Sequence, residues 1–195
     1  MKTLYIERST GECRDGKWVE ELDLEGVERI VVGTGPGSFA GIRSALAFAQ
    51  GYALATNCEV LGLPSACALA AQVYSSFEHS EHSNIQTFPL AVIGDARQGK
   101  FWVALFDGFC LEKDVFQVDR DDLKGSVPME CKVLTPDEAR IGEFLRTVFA
   151  ERYLGGGRPT HEGLRRFAEE CPSILKPEPL PIYLNPAVRP QTPCV

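Results

Sequence analysis

The feature that most constrains the fold of this chain is a glycine-rich block at residues 33–43, which reads GTGPGSFAGIR. It follows an apolar run at residues 30–32 and precedes residues 39–55, where apolar side chains recur at helical spacing. Glycine permits backbone conformations and close approaches that side chains forbid, and Ser38 is well placed to cap a helix. The block therefore predicts a buried strand, a tight turn and the start of a helix.

Two roles fit a glycine-rich turn that leads into a helix: close packing against another segment, or contact with a phosphate. The known phosphate motifs fit poorly. A P-loop requires a lysine, but none stands between Lys17 and Lys100, and a dinucleotide fingerprint requires a glycine where Ser38 stands. Close packing is the favoured interpretation, and nucleotide binding at Gly35 and Gly37 is the alternative.

The predicted helix at residues 39–55 carries small residues on several faces, so that other helices can approach it closely. One side fits the chain's own sheet, and the other fits a helix of a partner protein. The alternative is a helix that lies wholly inside its own core.

A second candidate site follows the apolar strand expected at residues 88–93. Asp95 and Arg97 stand two residues apart in the turn after this strand. Such a pair either braces the turn by hydrogen bonds, which is the favoured interpretation, or approaches the phosphates of a nucleotide.

The second half of the sequence predicts further strands and helices. Strands are expected at residues 88–93, 101–106 and 109–118 as a meander, and again at 130–134. A helix with a capping threonine is expected from residue 135 to about residue 153, where the glycines at 155–157 would end it. A shorter amphipathic helix is expected at residues 160–171, followed by an extended, proline-rich tail.

Composition argues against several classes of protein. The chain has 195 residues and a net charge of −7, so it lacks the basic surplus by which proteins hold nucleic-acid phosphates. Its seven cysteines are never spaced as C-x-x-C, which favours a reduced, cytoplasmic protein without structural zinc.

No basic, apolar leader and no bilayer-length apolar stretch is seen, so neither secretion nor membrane insertion is expected. His79 and His82 are interpreted as part of a solvated loop, since a zinc-binding helix spaces its histidines differently.

Four stretches of the sequence together resemble one family. The block at residues 33–43 is followed in order by GLPSACAL at 62–69, GDARQG at 94–99 and PLPIYL at 179–184. Through these stretches, of which the first is the most specific, the chain resembles the TsaB (YeaZ) family, the accessory subunit of bacterial tRNA threonylcarbamoyladenosine biosynthesis. The resemblance implies the α/β fold of the actin-like and Hsp70-like (ribonuclease H-like) ATPases, with two related lobes of mixed sheet and helices. It places an N-terminal lobe at residues 1–87 and a C-terminal lobe with the proline-rich tail at residues 88–195.

The chain departs from the family pattern near its N-terminus. Members usually end their first strand with IDTS, whereas this chain has Glu7 and Arg8 there, which weighs against ATP hydrolysis. Members also carry a longer hairpin and an amphipathic helix before the glycine block, but only residues 23–26 separate Leu22 from Val27 here. Residues 17–22 are expected to form the second strand of a shortened hairpin, and the helix is expected to be missing.

For function, the resemblance implies a non-catalytic accessory subunit that binds and activates the catalytic subunit TsaD and works indirectly with the ATPase TsaE. The residues assigned to this contact lie on or beside the predicted helix: Pro36, Ser38, Phe39, Ile42, Arg43 and Leu46. No catalytic residue, cofactor or metal is expected. Two alternatives stay open: a self-associating member, present as a homodimer, that has lost the TsaD partner, or a nucleotide-binding ATPase that uses Gly35, Gly37, Asp95 and Arg97.

Overall fold

The computed structural model describes residues 1–10, 19, 20, 22–78 and 88–184, which form two β-sheets with helices packed around them. Three parallel strands build most of the first sheet, in the order β1 (Lys2–Ile6), β2 (Val27–Gly33) and β3 (Glu59–Leu63). The apolar run before the glycine block is therefore the central strand, as the sequence predicts.

Helices cover both faces of the first sheet because β2 directs successive side chains to opposite sides. Ile30 and Val32 belong to the core under helix α1 (Phe39–Thr56), whereas Val31 belongs to the core around helix α2 (Ser65–Glu78). Every residue of α2 from position 65 to 71 is buried, so this helix lies at the centre of the molecule.

The second sheet begins with an antiparallel meander. Its strands are β4 (Pro89–Arg97), β5 (Lys100–Asp107), β6 (Cys110–Leu111), β7 (Phe116–Asp119), β8 (Lys132–Thr135) and β9 (Tyr153–Gly156). They lie in the order β6-β5-β4-β8-β9 with β7 beside β5, and β8 runs parallel to both β4 and β9. The short helix α3 (Leu123–Ser126) and helix α4 (Glu138–Phe149) pack on one face, while Leu90, Val92 and Phe106 join the core around α2 from the other face.

The end of the chain returns to the first sheet. Helix α5 (His161–Glu170) packs against α2, and strand β10 (Lys176–Pro177) then pairs antiparallel with β3. Thr160 caps α5 by accepting a hydrogen bond from the Gly163 amide at 3.1 Å. A Cβ atom on Gly163 would lie 2.2 Å from the Ala68 carbonyl oxygen, so α5 and α2 touch backbone to backbone. One core thus joins both sheets, and no described helix is long and apolar enough to cross a bilayer.

Three local predictions are wrong. β1 pairs in parallel with β2, and the described residues of the expected second hairpin strand, 19, 20 and 22, lie outside any strand. The rest of that strand, residues 17, 18 and 21, and the expected turn at residues 11–16 fall outside the described residues. The strand expected at residues 109–118 is two strands, β6 and β7. The glycines at 155–157 do not end a helix, because α4 stops at Phe149 and two of them belong to β9. Pairing with β8 overrides the turn preference of glycine there.

Candidate functional site

The glycine block packs against the segment that follows β1. A Cβ atom on Gly37 would lie 2.4 Å from the Ser9 carbonyl oxygen, and one on Gly41 would lie 2.1 Å from the Arg8 carbonyl oxygen. A Cβ atom on Gly33 would meet Glu7 Oε2 at 2.0 Å. These positions need glycine because another part of the chain occupies the space of a side chain.

Backbone hydrogen bonds hold the block in this position. The Ser38 amide donates to the Ser9 carbonyl at 2.6 Å, and the Gly35 amide donates to Ser65 Oγ at 3.0 Å. In return, the Ser65 amide donates to the Gly35 carbonyl at 2.7 Å. The amide of Gly35 is therefore already engaged inside the protein.

Glu7 places a carboxyl group beneath the block. Its Oε1 atom accepts a hydrogen bond from the Ser9 amide at 2.7 Å. Burial raises the pKa of Glu7, and hydrogen bonds from Ser9 and Ser65 oppose this shift. The carboxyl group is packed into the protein and serves the turn that carries the block.

Helix α1 begins as the sequence predicts, with Ser38 as its cap accepting a hydrogen bond from the Gly41 amide at 3.3 Å. Its buried stripe follows helical spacing and packs on the first sheet: Ile42, Ala45, Leu46 and Ala49. The opposite side, here called the outer face, consists of exposed residues: Phe39, Ala40, Arg43, Ala47, Gln50, Gly51, Leu54 and Ala55.

Two of the residues expected to contact a partner point inward. Ile42 is 3% exposed and Leu46 is 4% exposed, since both fill the core between α1 and the first sheet. They support the position of α1 on the first sheet. Of the other expected contact residues, Phe39 and Arg43 belong to the outer face, whereas the buried Pro36 and the half-buried Ser38 lie in the turn before the helix.

The exposed start of α1 contacts the last described segment of the chain. The Tyr183 ring lies 5.5 Å from the Phe39 ring, and the Arg43 guanidinium lies 4.9 Å above Phe39. The strap, defined here as residues 176–184, is tied down where the Ile182 amide donates to the Thr34 carbonyl at 2.9 Å. Phe39 and Tyr183 are both about half exposed, at 49% and 51%.

A cleft of about 700 Å³ separates the glycine block from the second sheet. It brings together residues from both candidate sites, and the strap forms a further wall with Tyr183. The predicted residues that line it are Pro36, Gly37, Ser38, Phe39, Ile42, Asp95 and Arg97. Gly35, Arg43 and Leu46 are not part of its lining.

Asp95 braces the end of β4 and also faces this cleft. Its Oδ1 atom accepts a hydrogen bond from the Arg97 amide at 2.8 Å, and its own amide donates to Asp137 Oδ2 at 2.9 Å. Its Oδ2 atom lies 3.3 Å from the Arg97 guanidinium and 3.6 Å from that of Arg140. Nucleotide binding at Gly35, Gly37, Asp95 and Arg97 stays a prediction.

Several residues of the cleft were not predicted as site residues, and among them Arg140, Arg158 and Tyr183 carry side chains suited to binding. Arg140 lies in the first turn of α4, which was predicted to begin at a capping Thr135 but begins at Glu138 with Asp137 at the cap position, because Thr135 still belongs to β8. Its position opposite the glycine block depends on how the two sheets pack. Tyr183 belongs to the PLPIYL stretch, but nothing in that stretch predicts its contact with Phe39.

Other reactive side chains do not form a site in the described part of the chain. No group of three or more His, Cys, Asp or Glu residues there could hold a metal ion. His79 and His82 lie outside the described residues. Burial raises the pKa of the Cys67 thiol well above its ordinary value, so this cysteine behaves as a core residue.

Comparisons with known proteins identify a family from the sequence and a fold from the structure. The family model described as TsaD, tRNA N6-adenosine threonylcarbamoyltransferase, matches residues 19–120. No curated protein matches the sequence. The structure is similar to that of YeaZ from Pseudomonas aeruginosa, with a TM-score of 0.63 and 20% identity over 85% of this chain and 78% of that chain. It is also similar to a protein described as uncharacterized with similarity to peptidase YeaZ, from the same organism. That match has a TM-score of 0.62 and 20% identity over 88% of this chain and 80% of the other. These matches confirm the predicted actin-like and Hsp70-like (ribonuclease H-like) ATPase fold.

Proposed function

Because the chain belongs to the TsaD family of tRNA N6-adenosine threonylcarbamoyltransferase domains, we propose that it is a non-catalytic accessory subunit for threonylcarbamoyl transfer to adenosine 37 of tRNA. In this proposal it acts in the cytoplasm by dimerising with a TsaD-type catalytic subunit and activating it. Its link to TsaE runs through that subunit.

The observation that carries the proposal is the outer face of α1. This helix has 18 residues and a single charged one, Arg43, although much of it faces solvent. Helix α5, by contrast, has ten residues, half of them charged. Protein interfaces are depleted of charge at their centres, and small residues such as Ala47 and Gly51 let a second helix approach closely. The outer face therefore suits a partner helix better than it suits water.

The state of Glu7 supports a non-catalytic role. This residue stands where family members usually carry an aspartate, at the end of the first strand. Its carboxyl group is packed under Gly33 and engaged by the Ser9 amide, so it is not presented to the cleft. A carboxylate that is to bind a metal or activate water needs access to that ligand.

Co-elution with a TsaD-type subunit on size-exclusion chromatography tests the proposal. Leu54→Asp places a charge on the outer face at a side chain that is 88% exposed, so the fold should tolerate it. Desolvating that charge in an interface should weaken the complex by about 10-fold or more. Ile42→Asp is unsuitable, because Ile42 is buried and its loss would act through unfolding.

Met129→Asp is the matched control, since Met129 is 75% exposed and lies far from α1 in the sequence, beside β8. We expect this variant to co-elute like the wild type. Co-elution of Leu54→Asp at wild-type strength would remove the outer face from the interface. If the wild-type protein elutes as a homodimer and does not co-elute with the TsaD-type subunit, the self-associating alternative is favoured.

A further inference from the structure

The cleft beside α1 carries a basic cluster that a flat helix-to-helix contact does not explain. Arg97, Arg140 and Arg158 line the cleft, together with two aspartates, Asp95 and Asp137. The chain as a whole has 20 lysines and arginines against 27 aspartates and glutamates. The cleft is therefore locally basic on a protein that is otherwise acidic.

The arginines keep hydrogen-bonding capacity for a further anion. The Arg97 and Arg140 side chains are 60% and 50% exposed, and both face the same Asp95 carboxylate. Asp95 and Asp137 together offset two of the three guanidinium charges of the cleft. Each guanidinium has five N–H donors, so Asp95 occupies only part of the hydrogen-bonding capacity of Arg97 and Arg140. The pair can therefore receive another carboxylate without giving up Asp95.

The rim of the cleft adds an apolar contact and a further positive charge. Phe39 and Tyr183 form a half-exposed ring pair, with Arg43 above Phe39. Aromatic and arginine side chains are the types most enriched where binding energy concentrates in protein interfaces. Phe39 belongs both to the cleft lining and to the outer face of α1, so the two surfaces are continuous.

We propose that the cleft receives an acidic, extended segment of the same partner protein that docks on α1. This inference rests on the proposed function and specifies the chemistry of the partner. Carboxylates of the segment pair with Arg97 and Arg140, and an apolar residue contacts Phe39 and Tyr183 at the rim. The volume of about 700 Å³ is within the range of natural ligand clefts and suits a short stretch of peptide.

Fluorescence anisotropy with the full chain and fluorescein-labelled hexaglutamate tests the preference for an acidic segment. We expect binding of hexaglutamate, no comparable binding of labelled hexaglutamine, and a loss of affinity as salt is raised. The double variant Arg97→Gln, Arg140→Gln should bind hexaglutamate at least about 10-fold more weakly. Arg165→Gln is the matched control, because Arg165 lies on α5 between Glu162 and Glu169 and should leave binding unchanged.

Equal affinity for the two peptides, or equal losses in the double variant and the control, would overturn the inference. So would arginine-dependent binding of ATP or inorganic phosphate without binding of hexaglutamate, since the cleft would then be a site for small anions.

Co-elution with the TsaD-type subunit separates the two proposals. If Leu54→Asp abolishes co-elution while the double variant keeps both co-elution and peptide affinity, the accessory role stands and the cleft inference fails. If wild-type protein binds hexaglutamate through these arginines but never co-elutes, the accessory role fails.

Discussion

Gly41→Ala should destabilise the protein although it replaces a glycine inside a helix by the best helix former. In an open helical position this exchange stabilises by about 1 kcal/mol. At Gly41, however, the new Cβ would lie 2.1 Å from the Arg8 carbonyl oxygen. That neighbour is backbone, so no side-chain rotation can relieve the contact.

The size of the effect follows from the required movement. A carbon and a carbonyl oxygen need about 3.3 Å, so the segment after β1 must move away from α1 by about 1 Å. This movement would also stretch the hydrogen bond from the Ser38 amide to the Ser9 carbonyl, now 2.6 Å. Overpacking of this kind costs about 1–3 kcal/mol, and the tight backbone contact favours the upper end. The gain in helix propensity offsets part of this cost, so we expect the free energy of unfolding to fall by about 2 kcal/mol.

Gly51→Ala is the matched control in the same helix. Gly51 has no atom within 4 Å of an added Cβ, so the variant should be more stable by up to about 1 kcal/mol. Urea unfolding followed by circular dichroism measures both variants, which should differ by about 3 kcal/mol. If Gly41→Ala is as stable as Gly51→Ala, the packing role of the glycine block is refuted.

Three further predictions concern stability. Burial raises the pKa of Glu7 in the folded protein. The stabilisation that Glu7 gives the folded state is therefore fully present below the ordinary glutamate pKa, and it is lost as pH rises through the pKa of Glu7 in the folded protein. Glu7→Gln should therefore gain stability relative to wild type as pH rises from about 4 to 7 in urea titrations; a constant difference would contradict this. Thr160→Ala removes the cap of α5 and should cost about 1–2 kcal/mol, whereas the exposed Thr147→Ala should cost less than about 0.5 kcal/mol; equal losses would remove the capping role. Phe167→Ala, at a fully buried ring, should cost about 3–5 kcal/mol by chemical denaturation; a loss below about 1 kcal/mol would mean that the shared core is misassigned.

The sequence predicts local structure well where composition is unambiguous. The run at residues 30–32, the cap at Ser38 and the helix after it have mutually consistent signals, and the structure confirms each of them. β9 shows the opposite case. It has four residues and two glycines, and only its pairing with β8 makes it a strand. A long-range partner of that kind leaves no mark on local composition.

The candidate site was harder to predict than the fold. Helical spacing identifies Ile42 and Leu46 as one apolar stripe of α1, but Phe39 and Leu54 are apolar as well, and spacing does not say which set meets the sheet. The structure shows that the stripe with Ile42 and Leu46 packs on the first sheet, whereas Phe39 and Leu54 stay exposed. The arginines of the cleft stand far apart in the sequence, at 97, 140 and 158, and the packing of the two sheets brings them together.

The most direct test of the account is the accessibility of the outer face of α1 in the complex. Ala47→Cys places a thiol in the middle of that face, and Met129→Cys places one at an exposed position just before β8. Maleimide labelling of each, mapped by mass spectrometry, would be measured with and without a saturating TsaD-type subunit. We predict that the partner slows labelling at position 47 by about 10-fold or more and leaves position 129 unchanged. Equal labelling of position 47 in the free protein and in the complex would contradict the account.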